Sequence, residues 1–580
     1  MARVSHRGES IIQDRVDVPT RQFTVLAQDP ALKGTNGKPL LTKVTVPAER
    51  LEAGPKGHRV HVIDYDAATN LYYKARSTDL YTDPYAKDLP DADTIANDPY
   101  FHQQNVYAIA MATLGEFQMA LGRPISWGFK SPAPQLKIAP HAFPEANAYY
   151  SRDSESLCFG YFPDARGRTI FTCLSHDIVA HETTHALLDG LRSYYLYPSH
   201  ADQAAFHEGF SDIVALLSVL KSSELVAHSL ARISDTRNLI RSASLSSDNL
   251  KENVLIKLAE EFGEELSSVR GDALRHSVKL PPRQDYLERD SFSEPHRRGE
   301  VLAAAMMNAF LTVWESRLDP LGRDRKLALS RGVVADEGAT AAKHLLRIAI
   351  RALDYLPPVD MTFASYLSAL LTADAQLYPD DTRYRYRQAL FDAFERYGID
   401  PASNPKGDGI WDPPPSEKAL TYSGLNFEAL QRDPTVAFRF IWENQKSLDV
   451  DPDAFTRVIS MRPCVRVSND GLTLRETLVE YVQSLKVFAY ELKGMDIRAP
   501  KGLPGNTPIT LYGGGTLVFD EFGRLKFHIG TGVRSGRQSE RLDSLYIRGA
   551  FNRDESQFMS FADAHRKRMT ARIQKPGEQW

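Results

Sequence analysis

The pattern of apolar and polar positions predicts a strand-rich beginning followed by long helices. Between residues 23 and 73, short runs of β-branched and aromatic residues alternate with turn signals, which is typical of strands. From 106 to 121 the apolar residues recur at helical spacing, and Gly122-Arg123-Pro124 ends this predicted helix. The stretch 79–99 before it is rich in Asp and Pro, which predicts a loop.

The later part of the chain changes character twice. Residues 299–310 are apolar on nearly all sides, which predicts a buried helix. Residues 401–415 contain several Pro and Gly and few apolar residues, as at a domain boundary. Beyond it, residues 511–528 predict a hairpin that turns at 520–523. Its Gly513-Gly514-Gly515 is not a phosphate loop, because no Lys-Ser/Thr and no predicted helix follow.

The most specific chemical motif is His181-Glu182-Thr183-Thr184-His185. Residues four apart lie on the same face of a helix, so His181 and His185 can direct ring nitrogens at one metal ion. This pattern places Glu182 as the general base for a water molecule. The motif is short, and the alternative is an ordinary amphipathic helix with two hydrogen-bonded histidines.

A second cluster, His207-Glu208-Gly209-Phe210-Ser211-Asp212, favours the metal interpretation. Catalytic zinc is bound by three protein ligands, and Glu208 would complete a set of two His and one Glu. Asp212, one helical turn later, would accept the other ring N–H of a ligand histidine. The alternative is a solvated acidic pair, but like charges at this spacing are mildly unfavourable unless a cation compensates one of them.

With these motifs the chain resembles the thermolysin-like zinc metallopeptidases, a gluzincin family. The similar segments follow the family's order over about residues 95–400 and include Asn147-Ala148-Tyr149-Tyr150, Ala273-Leu274-Arg275 and Glu294-Pro295-His296. The resemblance implies an α+β fold of two lobes, with a β-rich N-terminal lobe and a helical C-terminal lobe. It also implies bound Zn²⁺ and hydrolysis of peptide bonds in a protein or peptide substrate.

The resemblance implies a role for each matching position. In the family, the edge strand that matches Asn147 and Ala148 holds an extended substrate, and the position of Arg275 contacts a substrate carbonyl. His296 matches the histidine that stabilises the transition state, and either Asp290 or Glu294 would orient it. The predicted metal ligands are His181, His185 and Glu208, and the predicted base is Glu182. Asp212 and His207 would support the ligands, with His207 in place of the family's Asn. The assisting tyrosine would be Tyr197, with Tyr194 and Tyr195 as alternatives.

A paired calcium site is not expected. Asp177 matches a calcium position of the family, but Val219 stands where a partner carboxylate would be needed. Calcium requires several oxygen ligands, so the substitution removes part of its coordination.

Composition narrows the class of protein further. The chain has 580 residues, 42% hydrophobic content and a net charge of −4, which excludes a global basic field for nucleic acid. No stretch of it is long and apolar enough for a membrane span. The polar start lacks the apolar core of a signal peptide, so we expect a cytoplasmic location, with export without a signal left open. The sequence does not determine the oligomeric state.

The length predicts several domains. We expect a β-rich segment at 1–95, a lobe with the zinc helices at 96–220, a helical lobe at 221–400, a linker at 401–420 and a C-terminal α+β domain at 421–580. The leading functional hypothesis is a zinc endopeptidase. The alternative is a regulated zinc-containing effector or interaction protein whose C-terminal domain selects one partner. A catalytically inactive scaffold is disfavoured, because every expected catalytic residue type is present.

Overall fold

A computed structural model shows a mixed α+β architecture with several separate sheets. It describes residues 19–551 apart from internal gaps, and the gaps are 35–36, 76–82, 87–90, 130–133, 165, 197–199, 257–276, 322–327, 405, 415–419, 424, 468–472, 548 and 550.

The strands and helices are numbered in chain order. The strands are β1 (Thr20–Leu26), β2 (Leu41–Pro47), β3 (Val60–Val62), β4 (Tyr65–Asp66), β5 (Leu71–Tyr72), β6 (Leu136–Phe143), β7 (Ala148–Ser151), β8 (Ser156–Pro163), β9 (Thr169–Phe171), β10 (Leu239–Arg241), β11 (Ala328–Ser330), β12 (Phe455–Val467), β13 (Thr473–Phe488), β14 (Pro508–Phe519) and β15 (Leu525–Thr531). The α-helices whose bounds lie within the described residues are α1 (Ala92–Asn97), α2 (Pro99–Leu121), α3 (His176–Leu191), α4 (Ala201–Leu220), α5 (Ser223–Ser229), α6 (Ser247–Leu250), α7 (Pro295–Leu318), α8 (Arg331–Arg351), α9 (Phe363–Leu377), α10 (Tyr386–Glu395), α11 (Phe427–Leu430), α12 (Pro434–Glu443) and α13 (Gln538–Ile547).

The predicted strands at the beginning of the chain are confirmed. β1 and β2 form an antiparallel pair that packs on helix α2. A second sheet has the order β3-β6-β8-β7, with β9 added to β8. Within the described part of the chain β7 pairs only with β8, which leaves its other edge open to an extended chain.

The prediction of a loop over 79–99 is wrong at its end, where residues 92–97 form helix α1. The Asp residues that suggested a loop act as helix caps here. Asp91 accepts the backbone N–H of Thr94 at 2.7 Å, and Asp98 accepts that of Tyr100 at 2.9 Å at the start of α2. The predicted helix over 106–121 is part of α2, and Gly122 ends it with a positive φ of 66°.

Helix α7 forms the centre of the helical region and packs against α4. As predicted, residues 299–310 are buried, with the exception of Asn308, which is half-buried. Two glycines permit the close approach of these helices. A Cβ atom on Gly209 would lie 2.7 Å from the carbonyl oxygen of Gly299, and a Cβ atom on Gly299 would lie 2.8 Å from the nitrogen of Gly209. Any side chain at either position would separate the helices.

The C-terminal region contains an antiparallel sheet in the order β12-β13-β14-β15, so the predicted hairpin at 511–528 is confirmed. This sheet is joined to the earlier part of the chain by buried charges. Arg123, which follows α2, donates to both carboxylate oxygens of Asp354 at 2.6 Å, and Arg466 of β12 pairs with the same carboxylate. Arg192, next to α3, pairs with Glu480 of β13.

The segment predicted as a linker also contacts the helical region, since the indole of Trp411 donates to the carbonyl of Tyr355 at 2.9 Å. The domain boundaries therefore stay predictions.

Among the described residues, no single helix has the length and apolar composition for crossing a membrane; the helices Ala201–Leu220 and Ser223–Ile233 meet that criterion only as a pair bent by 83°.

Candidate metal centre

Helices α3 and α4 bring the two predicted histidine ligands and the predicted glutamate ligand together. His181 and His185 are one turn apart on α3, each with 1% of its surface exposed, and Glu208 of α4 is 2% exposed. Apolar residues such as Leu187 on α3 and Phe210 on α4 are fully buried and hold the two helices against the core. Burying three such polar side chains is costly unless they pair with each other or with a cation.

The hydrogen bonds of the two rings show where their lone pairs point. His181 Nδ1 lies 2.8 Å from a carboxylate oxygen of Asp212, and the negative charge beside it favours the proton on Nδ1. The other nitrogen of this neutral ring, Nε2, therefore carries a lone pair, and it lies 2.8 Å from His185 Nε2. His185 Nδ1 in turn lies 3.3 Å from the hydroxyl of Ser211. The two Nε2 atoms thus converge, as in the histidine pairs that bind metals.

Glu208 completes this group. One carboxylate oxygen, Oε2, lies 3.6 Å from His181 Nε2, and the other, Oε1, lies 3.8 Å from His185 Nε2. Ligands bound at the usual zinc distance of about 2.1 Å in a tetrahedral arrangement are about 3.4 Å apart. Two imidazoles and one carboxylate therefore match zinc in chemical type, and the distances from Glu208 to both rings are near this spacing, whereas the two Nε2 atoms lie closer together, at 2.8 Å.

Glu182 also has a carboxylate oxygen within 4.8 Å of the ligand nitrogens of His181 and His185. One of its oxygens accepts the backbone N–H of Tyr150 at 3.0 Å, and this contact holds the side chain beside strand β7. Glu208 approaches both rings from the neighbouring helix α4. Two carboxylates, those of Glu182 and Glu208, therefore lie near the pair of histidines.

His296 reaches the same centre from the first turn of α7. Its Nε2 lies 3.4 Å from a Glu208 oxygen, and its Nδ1 lies 2.7 Å from a Glu294 oxygen. Of the two acids predicted to orient this ring, the structure selects Glu294 over Asp290. Burial raises the pKa of Glu294, but the hydrogen bond and charge of His296 outweigh that effect and lower the pKa to about 2. Glu294 is therefore a carboxylate at neutral pH and holds an N–H on Nδ1.

The predicted substrate strand lies directly beside these residues. Ala148 is in β7, and its backbone N–H donates to the side-chain oxygen of Asn147 at 2.8 Å. Asn147 is 1% exposed, and its own carbonyl accepts the N–H of Gly160 on β8 at 2.9 Å. Asn147 therefore fixes the start of the edge strand.

Other predicted positions fall elsewhere. The hydroxyl of Tyr195, an alternative for the assisting tyrosine, donates to the carbonyl of Pro357 at 2.6 Å in the core. Tyr194 is half-buried beside Tyr512 of β14, with ring centroids 6.4 Å apart. Tyr197 and Arg275 lie outside the described residues.

The remaining supporting positions are near the centre. The His207 ring lies 5.7 Å from that of His185, consistent with a contact to a ligand histidine.

At the position that matches the family's calcium site, Asp177 accepts the side-chain N–H of Gln28 at 2.9 Å and the hydroxyl of Ser175. Val219 is buried, with 3% of its surface exposed.

Two contributions to the centre were not predicted from the sequence. Ser211 follows Glu208 by three residues, and this helical spacing could have indicated that it shares the metal-facing side of α4. The hydrogen bond from the backbone of Tyr150 to Glu182 has no such local signal, because the two residues come from different elements.

Comparison with protein families, with curated proteins and with solved structures finds no match.

Proposed function

We propose that this protein is a zinc-dependent endopeptidase with a thermolysin-like arrangement of two lobes. The observation that supports this most is the convergence of two histidine Nε2 atoms 2.8 Å apart with a buried glutamate within 3.8 Å of both. Zinc bound by His181, His185 and Glu208 would supply a Lewis acid for the scissile carbonyl.

Glu182 is the general base of the proposed reaction. Its position next to the ligand histidines allows it to take a proton from the attacking water and to transfer it to the leaving amine. The N–H of Tyr150 fixes one carboxylate oxygen of Glu182 and so holds this side chain beside the ligand histidines. A base held in this way loses little freedom during the reaction.

His296 is the donor that stabilises the developing oxyanion. Because Glu294 holds the N–H of Nδ1, the Nε2 atom faces the centre, where it lies 3.4 Å from Glu208. Protonated Nε2 presents an N–H toward the negative charge that forms on the carbonyl oxygen.

The peptide substrate would bind along strand β7. The open edge of this strand presents backbone groups, to which an extended peptide adds as a further strand. The reacting bond would lie near Tyr150, since the N–H of this residue contacts the proposed base.

The alternative function, an effector with narrow specificity, is supported by contacts between the C-terminal region and the segment between α3 and α4. Tyr512 packs beside Tyr194, and Glu540 of α13 lies 3.6 Å from His200. A C-terminal region that contacts the edge of the centre can restrict which chains enter it. Both functions use the same hydrolytic residues and differ in substrate range.

The substitution Glu182→Gln tests the proposed function. Gln keeps the shape and the acceptor for the Tyr150 N–H, but it cannot take a proton at neutral pH. We expect unchanged zinc content, and hydrolysis of a quenched peptide library reduced by about 10²–10⁴-fold.

The surface substitution Glu428→Gln is the matched control and should leave both measurements unchanged, since Glu428 is exposed and distant in sequence from the centre. Retained turnover in Glu182→Gln, or loss of its zinc, would contradict the assignment of the base.

A further inference from the structure

A second group of metal-binding side chains lies apart from the proposed catalytic centre. His102 of α2, His141 of β6 and Cys173 of the short helix Thr172–Leu174 each offer a ligand atom, and these atoms lie within 4.8 Å of one another. The three side chains are at most 1% exposed. None of them is used in the proposed reaction.

The hydrogen bonds of the two rings fix the positions of their protons. His102 Nε2 lies 2.8 Å from the carbonyl oxygen of Ile95, which can only accept, so this nitrogen carries a proton. His141 Nδ1 lies 2.7 Å from a carboxylate oxygen of Asp64, whose other oxygen accepts the amide of Gln103 at 2.8 Å. His141 Nδ1 is therefore also protonated.

The two remaining nitrogens then face each other with their lone pairs. His102 Nδ1 and His141 Nε2 are 2.7 Å apart in a buried site. Two lone pairs at that distance repel unless the two nitrogens share a cation. That cation is either one extra proton lying between them or a metal ion bound by both, for which the nitrogens must separate to about 3.4 Å. The same arrangement occurs at His181 and His185, where the Nε2 atoms are 2.8 Å apart.

Cys173 distinguishes between these two cations. A shared proton needs no third group, whereas a thiolate beside two imidazoles is a typical ligand set for zinc. The backbone around this sulfur is fixed, because Asn105 of α2 donates to the carbonyl of Cys173 at 2.9 Å. The Asp64 carboxylate bonded to His141 and the Ile95 carbonyl bonded to His102 are also groups that usually hold the second ring nitrogen of a ligand histidine.

Aromatic side chains enclose the group. The ring centroid of Phe171 lies 4.8 Å from that of His102 and 5.1 Å from that of His141, and the ring centroid of Tyr73 lies 4.6 Å from that of His141. A closed site without an approach for substrate is typical of a structural metal.

We propose that His102, His141 and Cys173 form a second, structural binding site for a thiophilic divalent cation of the zinc type. The ion would join three elements that are distant in sequence, namely α2, β6 and the turn that leads into the catalytic helix α3. Its removal would therefore loosen the support of α3 without removing any group from the catalytic centre.

Metal analysis of the full chain after loading with zinc tests this proposal. We expect two zinc ions per wild-type chain, one in His185→Ala and one in Cys173→Ser. Since His185 and Cys173 belong to different centres, the double variant should bind none. If the Cys173→Ser chain bound as much zinc as the wild-type chain, the proposal would be overturned.

Loading the His185→Ala chain with cobalt provides a second measurement that does not require the Cys173 variant to fold. A cysteine ligand gives cobalt a thiolate-to-metal absorption band, which histidine and carboxylate ligands do not. We expect this band in His185→Ala. Its absence there would show that the imidazoles share a proton instead.

Cys158→Ser on the same background is the matched control and should keep the cobalt band, since Cys158 is a cysteine outside the cluster. The two proposals fail independently. If Cys173→Ser lost one ion while His185→Ala lost none, the structural site would stand and the catalytic metal would be refuted.

Discussion

The close contact between α4 and α7 predicts a strong effect of the smallest substitution, Gly299→Ala. The added Cβ atom would lie 2.8 Å from the nitrogen of Gly209, 3.0 Å from the carbonyl of Ala205 and 3.2 Å from the Cβ of Glu208. Two of these three neighbours are backbone atoms of α4 and cannot rotate away. The helices must therefore separate.

The size of the displacement follows from these distances. Ordinary contact begins at 3.4 Å, so the approach of 2.8 Å requires a shift of about 0.6 Å. His296 begins the same helix three residues earlier, and its present distance of 3.4 Å to Glu208 would increase to about 4.0 Å. Overpacking of this kind costs about 1–3 kcal/mol of stability, against which Ala gains about 1 kcal/mol over Gly within a helix.

Displacing a stabilising group by such an amount should reduce turnover by up to about 10²-fold. Peptide hydrolysis, zinc content and thermal unfolding of Gly299→Ala should be measured together. We expect reduced turnover with retained zinc, because the three proposed ligands are on α3 and α4 and none is on α7. Gly115→Ala in α2 is the matched control, since its Cβ atom would meet nothing within 4 Å. Wild-type turnover in Gly299→Ala would refute the placement of His296.

Three further predictions concern other buried polar groups. Asp212→Asn should weaken zinc affinity by about 10–100-fold, measured by competition with a chelator, because it loses the carboxylate that holds the N–H of His181; unchanged affinity would contradict this role. Asp354→Ala should lower the free energy of unfolding by about 3–5 kcal/mol in urea denaturation, since it leaves two buried arginines without their shared carboxylate. Burial lowers the pKa of His528 to about 4, so the unfolded chain, with a histidine pKa of about 6.5, binds more protons between these values. Stability should therefore fall from pH 6.5 to pH 4 by at most about 3 kcal/mol, and His528→Gln, which keeps an acceptor for the Tyr481 hydroxyl, should reduce this slope in unfolding measured at both pH values.

The local chemistry of the centre was predictable from the sequence. Helical spacing alone places His181 and His185 on one side of α3 and Glu208 with Asp212 on one side of α4. The boundary of α2 at Gly122 was predictable for the same reason, since capping is a local property of the chain. Asp91 shows the limit of such inference, because the same residue type favours both loops and helix starts.

Contacts between distant segments were decided only by the tertiary structure. Glu294 and Asp290 both carry a carboxylate and both precede His296 by a few residues, and only the fold shows which carboxylate reaches the ring. The same holds for Tyr195, whose hydroxyl is directed into the core by the carbonyl of Pro357. Sequence spacing does not determine such choices, because they depend on how whole helices pack.

The second cluster is the clearest case. His102, His141 and Cys173 have no ligand spacing that sequence alone would associate, since they belong to a helix, a strand and a turn. They meet because β6 packs in its sheet beneath α2 and the chain returns there just before α3. Periodicity within each of two helices predicted the ligands of the proposed catalytic centre, whereas long-range packing alone brought these three side chains together.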